Sequence, residues 1–132
     1  MRPEDLLFAK THEWVSVASE GGQKIATMGL SAFAVDALTD LVFIELPKVG
    51  RQVQAGDSCC EVESVKAVSD VYAPLAGEVV AVNTALPDNL ETLSKDPFGE
   101  GWIAKLKVAD ESNLKNLLDY SAYQKQCAEE SH

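Results

Sequence analysis

The chain has 132 residues, 46% of them hydrophobic, with 11 basic against 21 acidic side chains and a formal net charge of −10 at pH 7. That length supports one folded domain with a core that needs no disulfide or metal staple, and no apolar run approaches membrane-spanning length. The acid is spread along the chain, so the surface repels nucleic acid and anionic lipid; it suits basic patches on protein partners, and it also serves simple solubility.

The opening Met1-Arg2-Pro3-Glu4-Asp5 has neither a secretory apolar region nor the acid-poor, Arg-rich make-up of a transit peptide. A cytoplasmic chain is expected, or one of the mitochondrial matrix if a transit peptide has been removed. Alternation over residues 11–17 predicts a strand, Glu20-Gly21-Gly22-Gln23 a turn, and residues 24–30 the partner strand. Ser31 then offers an N-cap oxygen to a short helix over 32–38. Residues 40–46 form the strongest strand pattern in the chain. Pro47-Lys48-Val49-Gly50-Arg51-Gln52-Val53 and Pro74-Leu75-Ala76-Gly77-Glu78-Val79-Val80 share Pro-x-x-Gly-x-x-Val. In each copy the proline stops a ladder and the glycine permits positive φ, turning the chain into the next strand. Two such units flanking one hairpin suggest a flattened barrel with approximate two-fold symmetry.

Beyond the strand at 77–84, residues 87–93 read as a short helix or irregular turn, 96–101 as a loop and 102–108 as a last strand. Asp110-Glu111-Ser112-Asn113 starts a helix with Leu114, Leu117 and Leu118 on one stripe, and Ser121-Ala122-Tyr123-Gln124 has the form of a capping box. The core is expected at about 8–108 and the C-terminal helices at about 110–128, all within one domain over 1–132. Cys59, Cys60 and Cys127 lack metal-ligand or redox spacing, and their odd number fits a reducing compartment. Cys59 and Cys60, adjacent in a predicted strand, should point to opposite faces, with one in the core. Two histidines, His12 and His132, are too few for a His-rich metal site. No metal is expected.

Lys66 is the only cationic side chain between Arg51 and Lys95. Alternating β-type residues precede it (Asp57-Ser58-Cys59-Cys60-Glu61-Val62-Glu63) and follow it (Ala67-Val68-Ser69-Asp70-Val71-Tyr72-Ala73), which predicts a hairpin with this lysine at its tip. A single amine on a rigid point ringed by carboxylates gives a modifying enzyme one unambiguous target. From the residues alone, an attachment point and an ordinary solvated turn lysine both stay open.

Glu63-Ser64-Val65-Lys66-Ala67 with Ser69-Asp70, Tyr72-Ala73-Pro74 and Gly77-Glu78-Val79 resembles the lipoylation segment of the glycine cleavage system H-protein family. His12-Glu13-Trp14-Val15, Gly29-Leu30-Ser31, Leu41-Val42-Phe43-Ile44-Glu45-Leu46-Pro47 and Asp96-Pro97-Phe98-Gly99-Glu100-Gly101-Trp102 are similar to that family in the same order. The resemblance spans about residues 8–123. It implies a mainly β, lipoyl-domain-like barrel-sandwich hybrid, two antiparallel sheets with short flanking helices and a C-terminal helix. It also implies lipoate in amide linkage to Lys66, with Glu63, Ser64, Val65 and Ala67 as the hairpin read by lipoylating enzymes and Glu61 assisting. The implied role is that of a non-catalytic carrier. It takes an aminomethyl group from the glycine decarboxylase P-protein to the aminomethyltransferase T-protein, with dihydrolipoyl dehydrogenase, the L-protein, reoxidising the arm. A groove near the N-terminal strand should shelter the cargo, with Glu13 as the first candidate to pair with its amine and Asp70 and Thr11 as further partners. The plainer reading of Glu13 is an edge-strand carboxylate. Trp14 and Trp102 read as core.

One stretch departs from the family. Ser31-Ala32-Phe33-Ala34-Val35 stands where members show a polar helix start, and an apolar helix face is expected there, altering any partner contact. That departure keeps alive a related lipoyl carrier serving lipoate relay or sulfur oxidation. Biotinyl carriers place methionines beside the lysine, whereas Val65 and Ala67 stand here. A Schiff-base enzyme needs a desolvated amine, which an exposed tip does not offer, and no nucleophile–base set or phosphate loop is present. An unmodified interaction module is the remaining class.

Overall fold

A computed structural model describes residues 2–38, 40–109 and 111–130. Among these described residues nine strands run β1 (Leu7–Phe8), β2 (Glu13–Glu20), β3 (Gln23–Leu30), β4 (Leu41–Glu45), β5 (Gln52–Val53), β6 (Ser58–Ser64), β7 (Val68–Tyr72), β8 (Gly77–Val82) and β9 (Ala104–Val108). Three α-helices, α1 (Ala32–Leu38), α2 (Glu91–Lys95) and α3 (Tyr120–Glu130), are joined by 3₁₀ turns at Pro3–Asp5, Leu86–Asp88 and Glu111–Asn116. A six-stranded sheet in the order β1-β2-β3-β9-β8-β5 faces a three-stranded sheet in the order β4-β6-β7. Every pairing is antiparallel.

Alternation explains the sandwich. Val15, Met28, Val79 and Leu106 point inward from the larger sheet, Ile44, Val62 and Val71 from the smaller, and all are buried in one cluster. Burying each such side chain is worth about 1.5–3 kcal/mol. A second cluster joins Leu6, Phe8, Trp14 and Tyr123 under α3. Phe8 and Tyr123 stack there at 4.3 Å, and the Trp14 indole N–H donates to the Pro97 carbonyl at 2.8 Å. Trp14 is core as expected, but Trp102 is only half-buried, with the Lys105 ammonium over its ring.

The Gly21-Gly22 turn has φ of 59° and 80°, which only glycine adopts cheaply. The strand expected from residue 11 is β2, which starts at Glu13, later than the alternation suggests, because His12 has φ 80° and cannot extend a ladder. The Pro-x-x-Gly-x-x-Val copies pair with each other: Gln52 opposes Glu78 and Val53 opposes Gly77. Their glycines differ, however. Gly50 has φ 94°, whereas Gly77 is needed because a Cβ would stand 2.4 Å from the Lys107 carbonyl oxygen.

Other expectations are corrected. Cys59 and Cys60 are both buried, because a register shift between Ser58 and Cys60 breaks the alternation and turns consecutive side chains inward. The helix expected from 110 is the 3₁₀ turn Glu111–Asn116, with Asp110 outside the described residues, as is His132. Its leucines divide, Leu114 and Leu117 toward the main core and Leu118 toward the second cluster. Asp119, not Ser121, caps α3, accepting the Ala122 N–H at 2.8 Å.

Candidate functional site

The β6–β7 hairpin is closed by Ser64, whose backbone N–H donates to the Ala67 carbonyl at 2.8 Å. The Ser64 hydroxyl accepts the N–H groups of Lys66 and Ala67, both at 3.2 Å, and donates to the Ala67 carbonyl at 3.3 Å. The Val65 N–H donates to the Asp40 carbonyl at 3.0 Å, tying the turn to the head of β4. A three-residue tip is thereby pinned from two sides. Ser64 itself is buried, so it shapes the turn from within, while Val65, Lys66 and Ala67 are exposed and Glu63 is half-buried. Among the described residues the Lys66 ammonium makes no ion pair and no side-chain hydrogen bond.

A groove of about 240 Å³ runs between β7, α1 and the segment before β2. Leu30, Ala34, Leu38, Val62 and Val71 make it apolar, and Thr11, His12, Ser69 and Asp70 supply its polar groups. The exposed Asp70 carboxylate accepts the Ser58 hydroxyl at 2.8 Å through one oxygen. Asp70 stands four residues past the lysine, at most about 14 Å away for a fully extended chain.

Glu13 does not line this groove and is no exposed edge carboxylate; it is 1% exposed, standing behind Thr11. The Thr11 hydroxyl donates to one carboxylate oxygen, and the Tyr72 N–H donates to the other at 3.2 Å. Burial pushes its pKa from 4.5 up to about 7, against the opposing pull of those two hydrogen bonds. Thr11 and Asp70 therefore share the groove, Glu13 contacts it through Thr11, and Lys66 stands outside at the tip.

Sequence reasoning passed over His12 as a site residue. Its ring stacks on Phe33 at 4.9 Å, Nδ1 meets the Tyr123 hydroxyl at 2.7 Å, and Nε2 meets the Glu130 carboxylate at 3.2 Å. The Tyr123 hydroxyl also meets the Ser31 Oγ at 2.5 Å, and that oxygen caps α1 by accepting the Ala34 N–H at 3.2 Å. One network thus ties the groove wall, α1 and α3 together. The only sequence signal was the position of His12 beside Glu13, since its hydrogen-bond partners lie 111 and 118 residues along the chain. Val35, expected to make the α1 surface more apolar, is instead buried in the main core. Its change alters packing and leaves the outer face of α1 without it.

The family model described as glycine cleavage H-protein matches residues 6–130. A glycine cleavage system H protein from Rhodopirellula baltica is 57% identical over 127 residues, covering 96% of both chains. One from Thermotoga maritima is 48% identical, covering 93% of this chain and 96% of its own. A crystal structure of a glycine cleavage system H protein from Mycobacterium marinum superposes with a TM-score of 0.85 at 40% identity, covering 96% of this chain and 99% of its own.

Proposed function

The chain belongs to the glycine cleavage H-protein family, and from that premise we propose a lipoyl carrier whose arm is attached at Lys66. The observation that carries this reading is the exposed Lys66 ammonium, free of ion pairs among the described residues, on a turn pinned through Ser64 and Asp40. An acyl-transferring enzyme needs an amine that is accessible and fixed relative to the hairpin it grips, and these residues fit that need. Near-complete coverage of the relatives supports service in glycine cleavage over lipoate relay or sulfur oxidation.

When attached, the lipoyl group supplies a dithiolane that takes up an aminomethyl group and passes it on. This chain's own residues do the rest. Lys66 anchors the arm, and the hairpin fixes its origin so that the far end samples a small volume at high effective concentration. In the groove, Leu30, Ala34, Leu38, Val62 and Val71 would exclude water from a hydrolysable cargo. Thr11 would face a cationic amine there, and Asp70 would approach it only from the rim, since its carboxylate lies on the outer face beside Glu61. Glu13 backs Thr11, and a cation nearby favours its ionised form, so cargo entry would draw the proton off this carboxyl. Glu63, Val65 and Ala67 are the side chains presented to lipoylating enzymes, and Ser64 sets the turn that presents them.

The partners on this reading are the P-, T- and L-proteins together with the lipoylating enzymes, and the chain itself is a non-catalytic carrier. The body over 1–132 acts as a single carrier domain. No helix among the described residues is long and apolar enough to cross a membrane, and we place the chain in the cytoplasm with its partners. Intact mass after expression with lipoate and a competent lipoylating enzyme tests the attachment. One lipoyl increment is expected, lost completely in Lys66→Ala; an unmodified wild-type chain, or an increment surviving in the variant, would overturn it.

A further inference from the structure

Six large apolar side chains stand exposed among the described residues, and four of them surround the lysine turn: Val42 at 52%, Phe43 at 48%, Val65 at 65% and Val68 at 57%. Single exposed valines mean little, but four around one functional residue are a surface. The register shows how they come together. Phe43 opposes Glu63, and Glu63 opposes Val68, forming one row across the outer face of β4-β6-β7. The inward row beside it, Ile44, Val62 and Ser69, faces the core and the groove. A bulge in β4 sets Leu41 against Ser64 and Phe43 against Glu63, leaving Val42 as the extra residue. Regular alternation would turn one of two neighbours inward; the bulge exposes both Val42 and Phe43.

The next outward row is wholly acidic: Glu45 opposes Glu61, and Glu61 opposes Asp70. All three are exposed, and none makes an ion pair among the described residues. The outer face thus carries an apolar band at its lysine end, with the exposed Lys66 beside it, and a carboxylate row behind it.

We propose that this face is the docking surface for the enzyme that acylates Lys66, and that the partner presents an apolar patch bordered by arginine or lysine side chains. The inference rests on the attachment read above. Proximity selects this occupant. An enzyme acting on the far end of a long arm need not touch the turn, whereas one forming the amide must bring an acyl carbon within bonding distance of Nζ. It therefore covers the exposed residues flanking the tip, Val65 and Val68 close to Lys66 in sequence and Val42 and Phe43 on the adjoining strand, where Leu41 opposes Ser64 and Phe43 opposes Glu63. Covering them also removes water from the amine, and desolvation favours its neutral, nucleophilic form.

In the step itself, Nζ attacks the carbonyl carbon of an activated acyl donor, an acyl–nucleotide anhydride or a thioester. The C–N bond forms as the bond to the leaving group breaks, and the leaving group departs with that electron pair. The starting ammonium loses two protons overall, one before attack and one from the amide nitrogen. The carboxylate row takes no part in bond making; it orients the basic rim of the partner.

The test uses the full chain with a purified lipoate–protein ligase, lipoate and ATP, following intact mass against time at several chain concentrations. Val42→Ser with Phe43→Ser should slow acylation about tenfold at low chain concentration and recover at saturation, a loss of encounter of the size one buried anchor contributes. Glu61→Lys should slow it several-fold, an effect that vanishes at high salt, and remains informative if the apolar pair folds poorly. Val80→Ser, exposed on the other sheet, should match the wild type. Once driven to completion with excess ligase, the Val42/Phe43 variant should serve the P-protein within twofold of wild type. Wild-type acylation rates in both the apolar and the acidic variant would overturn the proposal, as would an equal loss at the P-protein step. A wild-type chain that accepts no lipoyl group would instead defeat the attachment itself.

Discussion

Glu13 behaves unlike the other carboxylates described at the site, because its oxygens are buried and already engaged by Thr11 and Tyr72. A carboxyl raised from 4.5 to about 7 holds its proton in the folded chain where the unfolded chain has lost it. Its contribution to stability is therefore fully present below pH 4.5 and declines as pH rises toward 7, in total by about 3 kcal/mol for a shift of that size. Glutamine in its place keeps both hydrogen bonds, donating to Thr11 and accepting from Tyr72, and cannot ionise. Urea unfolding should give Glu13→Gln and wild type equal stability near pH 4.5, with the variant ahead by up to about 3 kcal/mol at pH 8. A difference that stays constant across that window would show that this carboxyl does not titrate there. At the same scale the lysine tip was legible in the sequence, since a hairpin and the residue at its turn are local. The burial of Glu13 was not, because Tyr72 is 59 residues away and no pattern around position 13 reports that contact.

Among the elements, hairpins, α1 and its Ser31 cap agree with the sequence because period and turn chemistry are short-range signals. The bulges do not announce themselves. Cys59-Cys60 and Val42-Phe43 each break alternation, one pair turned inward and the other outward, and only the partner strand decides which. The repeat was visible as two motifs, yet the mutual pairing of β5 and β8 made their glycines unequal. Gly77 packs directly on the backbone of β9, so Gly77→Ala must push β8 away or lengthen its ladder. The expected cost is about 2 kcal/mol, typical of overpacking a close backbone approach. Gly50→Ala tests the other cause, since its Cβ would meet no atom within 4 Å and the strain comes from φ 94° alone. Thermal melting of the pair should show loss at both sites. An unchanged melting temperature in Gly77→Ala would contradict the close packing of β8 on β9.

For the molecule as a whole, the net charge of −10 sets how it meets partners. Carboxylates on the outer face of β4-β6-β7 concentrate part of that field beside the exposed Lys66. Association with a basic partner surface should therefore be steered, with on-rates falling about tenfold or more between 0.05 and 0.5 M salt as the Debye length shortens. Stopped-flow or biolayer measurements across that range check it; a salt-independent on-rate would show that the acid serves solubility only. The two clusters of the core also matter at this scale. Helix α3 is held by Phe8–Tyr123 stacking and by the His12–Tyr123–Ser31 contacts, so the C-terminal segment braces His12, which lines the groove.

A β-rich pattern, one lysine at a hairpin tip, an acidic balance and a capped α1 were legible in the sequence, because each is written in composition or in residues a few positions apart, while the carrier role came from family resemblance. Tertiary structure alone decided that Glu13 lies behind Thr11, that His12 bonds α3, and that Val42 and Phe43 both reach solvent. Burial and strand register are set by partners far along the chain, and a neighbouring-residue pattern carries no record of which distant backbone will arrive to dehydrate a carboxyl or shift a ladder by one.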